Sequence, residues 1–138
     1  MDLKILEIAS NTENNKVIKN HTHQSKNKNP LCGDEMEISL IVKNNIIKDI
    51  GYQCSSCIYC QASVSLLSRW VMQSPIEKIS EFILSSELFF NENFDQLKKI
   101  SIKDFKDFKK IMSPKNISRK ECLLLPFKTL SKALKLKG

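Results

Sequence analysis

No run of apolar residues in this sequence approaches the ~18 that a membrane-spanning helix requires. The first stretch also carries Asp2 and Glu7 where a secretory leader would hold only positive charge. The expectation is a cytoplasmic (or organelle-matrix) protein that does not engage a membrane. Without such a leader, the five cysteines argue against a disulfide framework. Reduced thiols serve instead as buried fillers, metal ligands or nucleophiles. Internal repeats and low-complexity tracts are absent. No aromatic platform or nucleic-acid motif accompanies the basic segment 98–138, which holds thirteen Lys or Arg against three acids. Its lysines at 98, 99, 103, 106, 109 and 110 are spaced as the wet face of a helix. Nucleic acid is therefore disfavoured as a partner, and the charge reads first as a solvated helix face, which an acidic protein partner could also use.

What is present fits one domain of ordinary composition. At 138 residues, with 41% apolar and 27% charged residues, the chain can bury a core without staples. Residues 1–28 read as a short helix and a polar loop, and residues 29–138 as the main body. Leu3, Ile5, Leu6 and Ile8 are available to pack from the first helix. The stretch from Asn11 to Asn29 reads as a long polar connection. Its His21 and His23 are expected to be solvated rather than metal-bound.

After that connection the patterning sharpens. Met36, Ile38, Leu40 and Val42 alternate with more polar neighbours, as in a half-buried strand. Asn44-Asn45 supplies a turn that tolerates positive φ. Ile46, Ile47, Ile50 and Tyr52 form the returning strand, with Lys48-Asp49 at a bulge. A helix capped by Ser55 or Ser56 follows from about Cys57 to Gln73, with Ala62, Val64, Leu66, Leu67, Trp70 and Val71 as its apolar stripe. Ser74-Pro75-Ile76-Glu77 forms a capping box for a second helix to about residue 88. Residues 91–100 are ambiguous. A further helix to about Met112 buries Phe105, Phe108 and Ile111. The last apolar run follows Ser118 and Glu121, another capping-box pattern. Pro126 cannot donate to the Cys122 carbonyl, so the backbone there is expected to be irregular and to present the thiol.

The chemistry gathers around Asn29-Pro30-Leu31-Cys32-Gly33-Asp34. Cys32 and Asp34 offer a thiolate and a carboxylate, with Gly33 allowing a tight turn between them. The hairpin carries Cys32 at one end and returns the chain to that end at Cys54 and Cys57. Cys57 then opens a helix, where backbone N–H groups favour a negatively charged sulfur. Cys54, Cys57 and Cys60 do not make a ferredoxin run, because Val64 stands where a fourth cysteine should and no Cys-Pro occurs. A c-type haem site would need His at Ile58, a zinc ribbon would need a second pair, and a thioredoxin motif would need strand–helix alternation around it. Cys32, Asp34, Cys57 and Cys122 together would make a four-coordinate site for Zn²⁺, Fe²⁺ or an iron–sulfur cluster.

At these residues the sequence resembles the U-type iron–sulfur scaffold family, which includes the NifU N-terminal domain, IscU and SufU. That family reads N-P-x-C-G-D, a hairpin, a cysteine opening a helix rich in A-S-x-S, and a single cysteine in the last helix. The matching pieces are Asn29 to Asp34, Cys57 with Gln61-Ala62-Ser63-Val64-Ser65, and Arg119-Lys120-Glu121-Cys122. Three departures stand out. Cys54 and Ser56 replace family glycines, Cys60 occupies a small-residue position, and Glu121 stands where IscU-type proteins carry a histidine. The interval from Cys57 to Cys122 is closer to the SufU spacing.

The resemblance implies an α+β fold, a small antiparallel sheet packed on one side by several helices. It implies Cys32, Asp34, Cys57 and Cys122 as ligands for a transient cluster, of the 2Fe-2S type, or for Zn²⁺. The function it implies is a scaffold rather than an enzyme. Such a scaffold accepts sulfur from a cysteine desulfurase, binds iron and transfers a labile cluster to apo iron–sulfur proteins. Cys122 would take the persulfide, with Cys32 and Cys57 as alternatives, and Asp34 would ease cluster release. The alternative is a zinc-dependent, SufU-like sulfurtransferase without scaffold activity. Cys54, Cys60 and the oligomeric state are left unassigned.

Overall fold

The structure, a computed structural model, describes residues 3–29, 33–86, 90 and 105–135. Helix α1 (Leu3–Ala9) is followed by strands β1 (His23–Lys28), β2 (Glu35–Lys43) and β3 (Ile46–Ser55). Helices α2 (Ile58–Val71), α3 (Ile76–Ser85) and α4 (Phe105–Ile111), a 3₁₀ turn (Pro114–Arg119) and α5 (Lys120–Leu134) complete it. The strands form one antiparallel sheet in the order β1-β2-β3.

The β2–β3 hairpin follows from its alternation. Met36, Ile38 and Leu40 pair across from Cys54, Tyr52 and Ile50, and all but Cys54 are fully buried. Asn44 and Asn45 both take positive φ, 55° and 64°, as a two-residue turn of this hand requires. The pairing steps from Ile41↔Asp49 to Val42↔Ile47, which leaves Lys48 as the extra residue of the expected bulge.

Strand β1 corrects the reading of residues 11–29 as a polar connection only. Its sequence HQSKNK holds no apolar side chain. Its pairing is carried by charge and by one buried hydroxyl. Lys26 lies opposite Glu37 and Lys28 opposite Glu35, with ion pairs of 3.6 and 3.7 Å. Ser25 turns inward and donates to the Thr129 carbonyl of α5 at 2.6 Å.

Between α1 and β1 the chain wraps the sheet. The Tyr52 amide donates to the Asn14 carbonyl at 3.0 Å, so the segment meets β3 along its open edge. It then crosses the outer face, where the Ile18 amide donates to the Ser39 hydroxyl at 3.4 Å. Gly51 lies under this strap, and a Cβ there would overlap the Lys16 carbonyl oxygen.

Helices α2 and α5 cover the inner face and contact each other. The expected stripe of α2, Ala62 to Val71, is buried. Trp70, Phe82, Phe108 and Phe127 meet edge-on, at centroid distances from 4.3 Å (Trp70–Phe82) to 6.5 Å (Trp70–Phe108), locking α2, α3, α4 and α5 together. In α1 only Ile5, Ile8 and Ala9 are buried, whereas Leu3 and Leu6, expected to pack, are exposed. The expectations for residues 87–89, 91–104 and the Phe105 side chain lie outside the description.

The two capping boxes do not form. The Ser74 hydroxyl donates to Trp70, Glu77 accepts from Asn45, and neither α3 nor α5 has a side-chain cap bond. Helix α5 runs through Pro126 from Lys120 to Leu134. The irregular backbone lies upstream, at Asn116 of the 3₁₀ turn, rather than at Cys122.

Candidate metal centre

Three of the four expected donors come together. Ligand atoms of Asp34, Cys57 and Cys122 all lie within 4.8 Å of one another, the one such group of His, Cys, Asp or Glu among the described residues. Cys32 lies outside the described residues. In a tetrahedral site with metal–ligand bonds of about 2.0–2.3 Å, neighbouring donors stand about 3.3–3.8 Å apart.

Each donor is placed by a different element. Asp34 ends the loop between β1 and β2, which is closed by two backbone bonds. The Asn29 amide donates to the Asp34 carbonyl and the Gly33 amide to the Asn29 carbonyl, both at 2.8 Å. Gly33 takes φ +76°, the left-handed conformation that makes glycine the natural residue between the two donors. Cys57 is the N-cap residue of α2 and has no side-chain cap bond of its own. The Asp34 Oδ1 accepts from the Cys57 amide at 3.3 Å, so the loop caps the helix from outside.

Cys122 sits in the first turn of α5 and is 7% exposed, buried rather than presented. Two contacts hold that turn against α2. The Ser63 hydroxyl donates to the Leu123 carbonyl at 2.6 Å. The Arg119 guanidinium lies 5.1 Å from the centre of the Tyr59 ring. Sequence reasoning missed both. The signal was serine within an otherwise buried helix: Ser63, Ser65 and Ser68 are all buried, and each donates to a carbonyl.

The chemistry of the set suits a cation. Asp34 is buried, and its Oδ2 has no hydrogen-bond partner among the described residues. An orphaned carboxylate oxygen is costly unless a positive charge meets it. Two sulfurs beside it make the site soft enough for zinc or iron.

Of the remaining candidates, Cys54 and Cys60 lie in the same neighbourhood. Burial pushes both thiols up, Cys60 very strongly, and the charges of Asp34 and Cys57 act in the same direction. The Ser56 hydroxyl offsets part of this, although it makes no hydrogen bond of regular geometry. Glu121, at the position of the IscU histidine, is 3.0 Å from Lys128 on the exposed side of α5. His23 lies in β1 with Nδ1 2.8 Å from the Thr22 hydroxyl, and neither His21 nor His23 joins the donor group. No helix among the described residues is long and apolar enough to cross a membrane.

The family model described as NifU-like N terminal domain matches residues 2–90. An iron–sulfur cluster assembly scaffold protein IscU of Thermotoga maritima is 30% identical over 132 residues, covering 95% of this chain and 89% of that protein. Among solved structures, a candidate SUF-system iron–sulfur cluster scaffold from Fervidobacterium islandicum superposes with a TM-score of 0.80. It shares 22% identity and covers 97% of this chain and 96% of that one. A NifU-like N-terminal protein from Brucella abortus also gives 0.80, at 19% identity, covering 97% and 91%. These two bear on the fold, a three-stranded α+β arrangement.

Proposed function

This chain belongs to the NifU-like N-terminal domain family of iron–sulfur cluster assembly scaffolds, and on that premise we propose that it receives sulfur from a cysteine desulfurase, binds iron and hands a labile cluster to apoproteins. The observation carrying this reading is the convergence of Asp34, Cys57 and Cys122 within 4.8 Å, from three separate parts of the chain. Cys32 is proposed as the fourth donor, from the same loop as Asp34.

In the sulfur step a thiolate of the site attacks the outer sulfur of a desulfurase persulfide. The donor's S–S bond breaks, its cysteine leaves as thiolate, and the persulfide passes to this chain. Conversion of that sulfur to sulfide takes two electrons from an external reductant. Cys122 is the proposed acceptor, with Cys57, the more accessible of the two donor thiols among the described residues, and Cys32 as alternatives. Mapping the persulfide by mass spectrometry after incubation with desulfurase and cysteine assigns the acceptor. Asp34 supplies an oxygen donor, weaker than thiolate toward iron–sulfur centres, so it favours release.

Anaerobic reconstitution with iron and sulfide, beside metal analysis of protein as isolated, tests the reading. A transferable cluster supports the scaffold. One tightly held zinc, no cluster, and stimulated desulfurase turnover would overturn it in favour of the zinc-dependent sulfur acceptor.

A further inference from the structure

Among the described residues, the strand order β1-β2-β3 leaves one side of β1 without a neighbouring strand. Two bonds show which backbone groups face that side. The Lys26 carbonyl accepts from Lys132 Nζ of α5 at 2.8 Å, and the Lys28 amide donates to Asn27 Oδ1 at 3.0 Å. Both groups turn away from β2, and the alternation of a ladder puts those of Gln24 on the same side. The other outward N–H and C=O groups of Gln24, Lys26 and Lys28 have no partner among the described residues. All three residues are exposed.

Charge is arranged along the same edge. Side chains on the outer face stand in two rows, Gln53–Glu37–Lys26 and Ser55–Glu35–Lys28. Each row ends on a lysine at the open side. Lys132 adds a third cation there and meets no carboxylate among the described residues. The rows line a groove of about 870 Å³ that also touches Lys132 and Asn15 of the strap. A second copy of β1 would bring its own lysines to this edge and be repelled. Carboxylates at alternate positions of an incoming strand would instead extend both rows, acid beside base.

We propose that the open edge of β1 docks an extended acidic segment of a partner protein, which adds to the sheet as a fourth strand. Its backbone pairs with the outward groups of Gln24, Lys26 and Lys28. Its carboxylates stand opposite Lys26 and Lys28, and Lys132 turns from the Lys26 carbonyl to the incoming chain. Because β1 leads into the loop that ends at Asp34, the partner is held next to that loop. The inference does not depend on the metal-centre reading, and its failure leaves that reading untouched.

The test titrates the full, reduced, metal-free chain into a short fluorescein-labelled peptide of alternating Glu and Thr, followed by anisotropy. Binding should weaken as salt rises, and hydrogen exchange at the Gln24 and Lys26 amides should slow in the complex. Lys132→Glu, at an exposed position, should bind about tenfold more weakly. The same peptide N-methylated on its amides keeps its charges, cannot donate to an edge, and should not bind. No binding of the unmodified peptide overturns the proposal. So does binding that survives N-methylation, leaves the two amides unprotected, or is unchanged in Lys132→Glu, since each shows charge attraction without strand addition or without this edge. Protection of these amides by self-association in the absence of peptide assigns the edge to a second copy and also overturns it.

Discussion

One carboxylate oxygen of Asp34 accepts the Cys57 amide at 3.3 Å, while the other is buried without a partner among the described residues. The same side chain therefore fixes where α2 begins and offers a donor atom to whatever lies between Cys57 and Cys122. Structural and chemical duties meet in one residue, and substitutions can separate them.

Asp34→Asn keeps an acceptor for the Cys57 amide but removes the charge, whereas Asp34→Ala removes both. In the metal-free protein Asp34→Ala should be about 1 kcal/mol less stable than Asp34→Asn, read from urea midpoints. After reconstitution, Asp34→Ala should hold its cluster longer than the wild type in a transfer assay. Faster loss would count against the release role.

Ser63→Ala deletes the bond that ties the first turn of α5 to α2. The expected cost is about 1 kcal/mol in stability. Because that turn carries Cys122, zinc affinity measured by chelator competition should fall about tenfold. Unchanged affinity would show that α5 is placed by its apolar packing alone.

Two glycines should respond for different reasons. Gly51→Ala drives a methyl group into the Lys16 carbonyl and displaces the strap. It should cost about 1–3 kcal/mol and make residues near Lys16 more sensitive to trypsin. A methyl group on Gly33 meets nothing within 4 Å, but φ is +76°. That substitution should cost about 1 kcal/mol through the backbone, without changing the cleavage pattern.

Burial raises the Cys60 pKa, so the folded chain keeps a proton that the unfolded chain releases above the ordinary value of 9.0. The stability linked to this group is whole below that value and is lost as pH rises beyond it. The slope is about 1.4 kcal/mol per pH unit for one group. Denaturant midpoints of reduced, metal-free protein should therefore fall above about pH 9. Cys60→Ala should flatten the fall while lowering stability at neutral pH through the cavity it leaves.

The readable parts of the sequence were those decided locally. Two adjacent asparagines could only turn tightly, and the alternation from Met36 to Leu40 could face only one core. The bulge at Lys48 showed as a break in that alternation. Strand β1 was illegible because its pairing depends on Glu35 and Glu37 in another strand and on a carbonyl of α5. The capping boxes failed because Ser74 and Glu77 found other partners. Asp34, Cys57 and Cys122 were legible as a set through family spacing. The buried state of Cys122 was not, because it follows from Ser63, Tyr59 and the docking of α5, all remote in sequence. Cys32 belongs to the expected set and lies outside the described residues.

The donors at positions 34, 57 and 122 become neighbours only when the chain is folded. An ion bound there would act as a clasp between distant stretches, made without a covalent link. Each tenfold rise in free ion above its dissociation constant would then add about 1.4 kcal/mol to folding. Metal supply in the surroundings would thus regulate how firmly the last helix stays shut against the sheet.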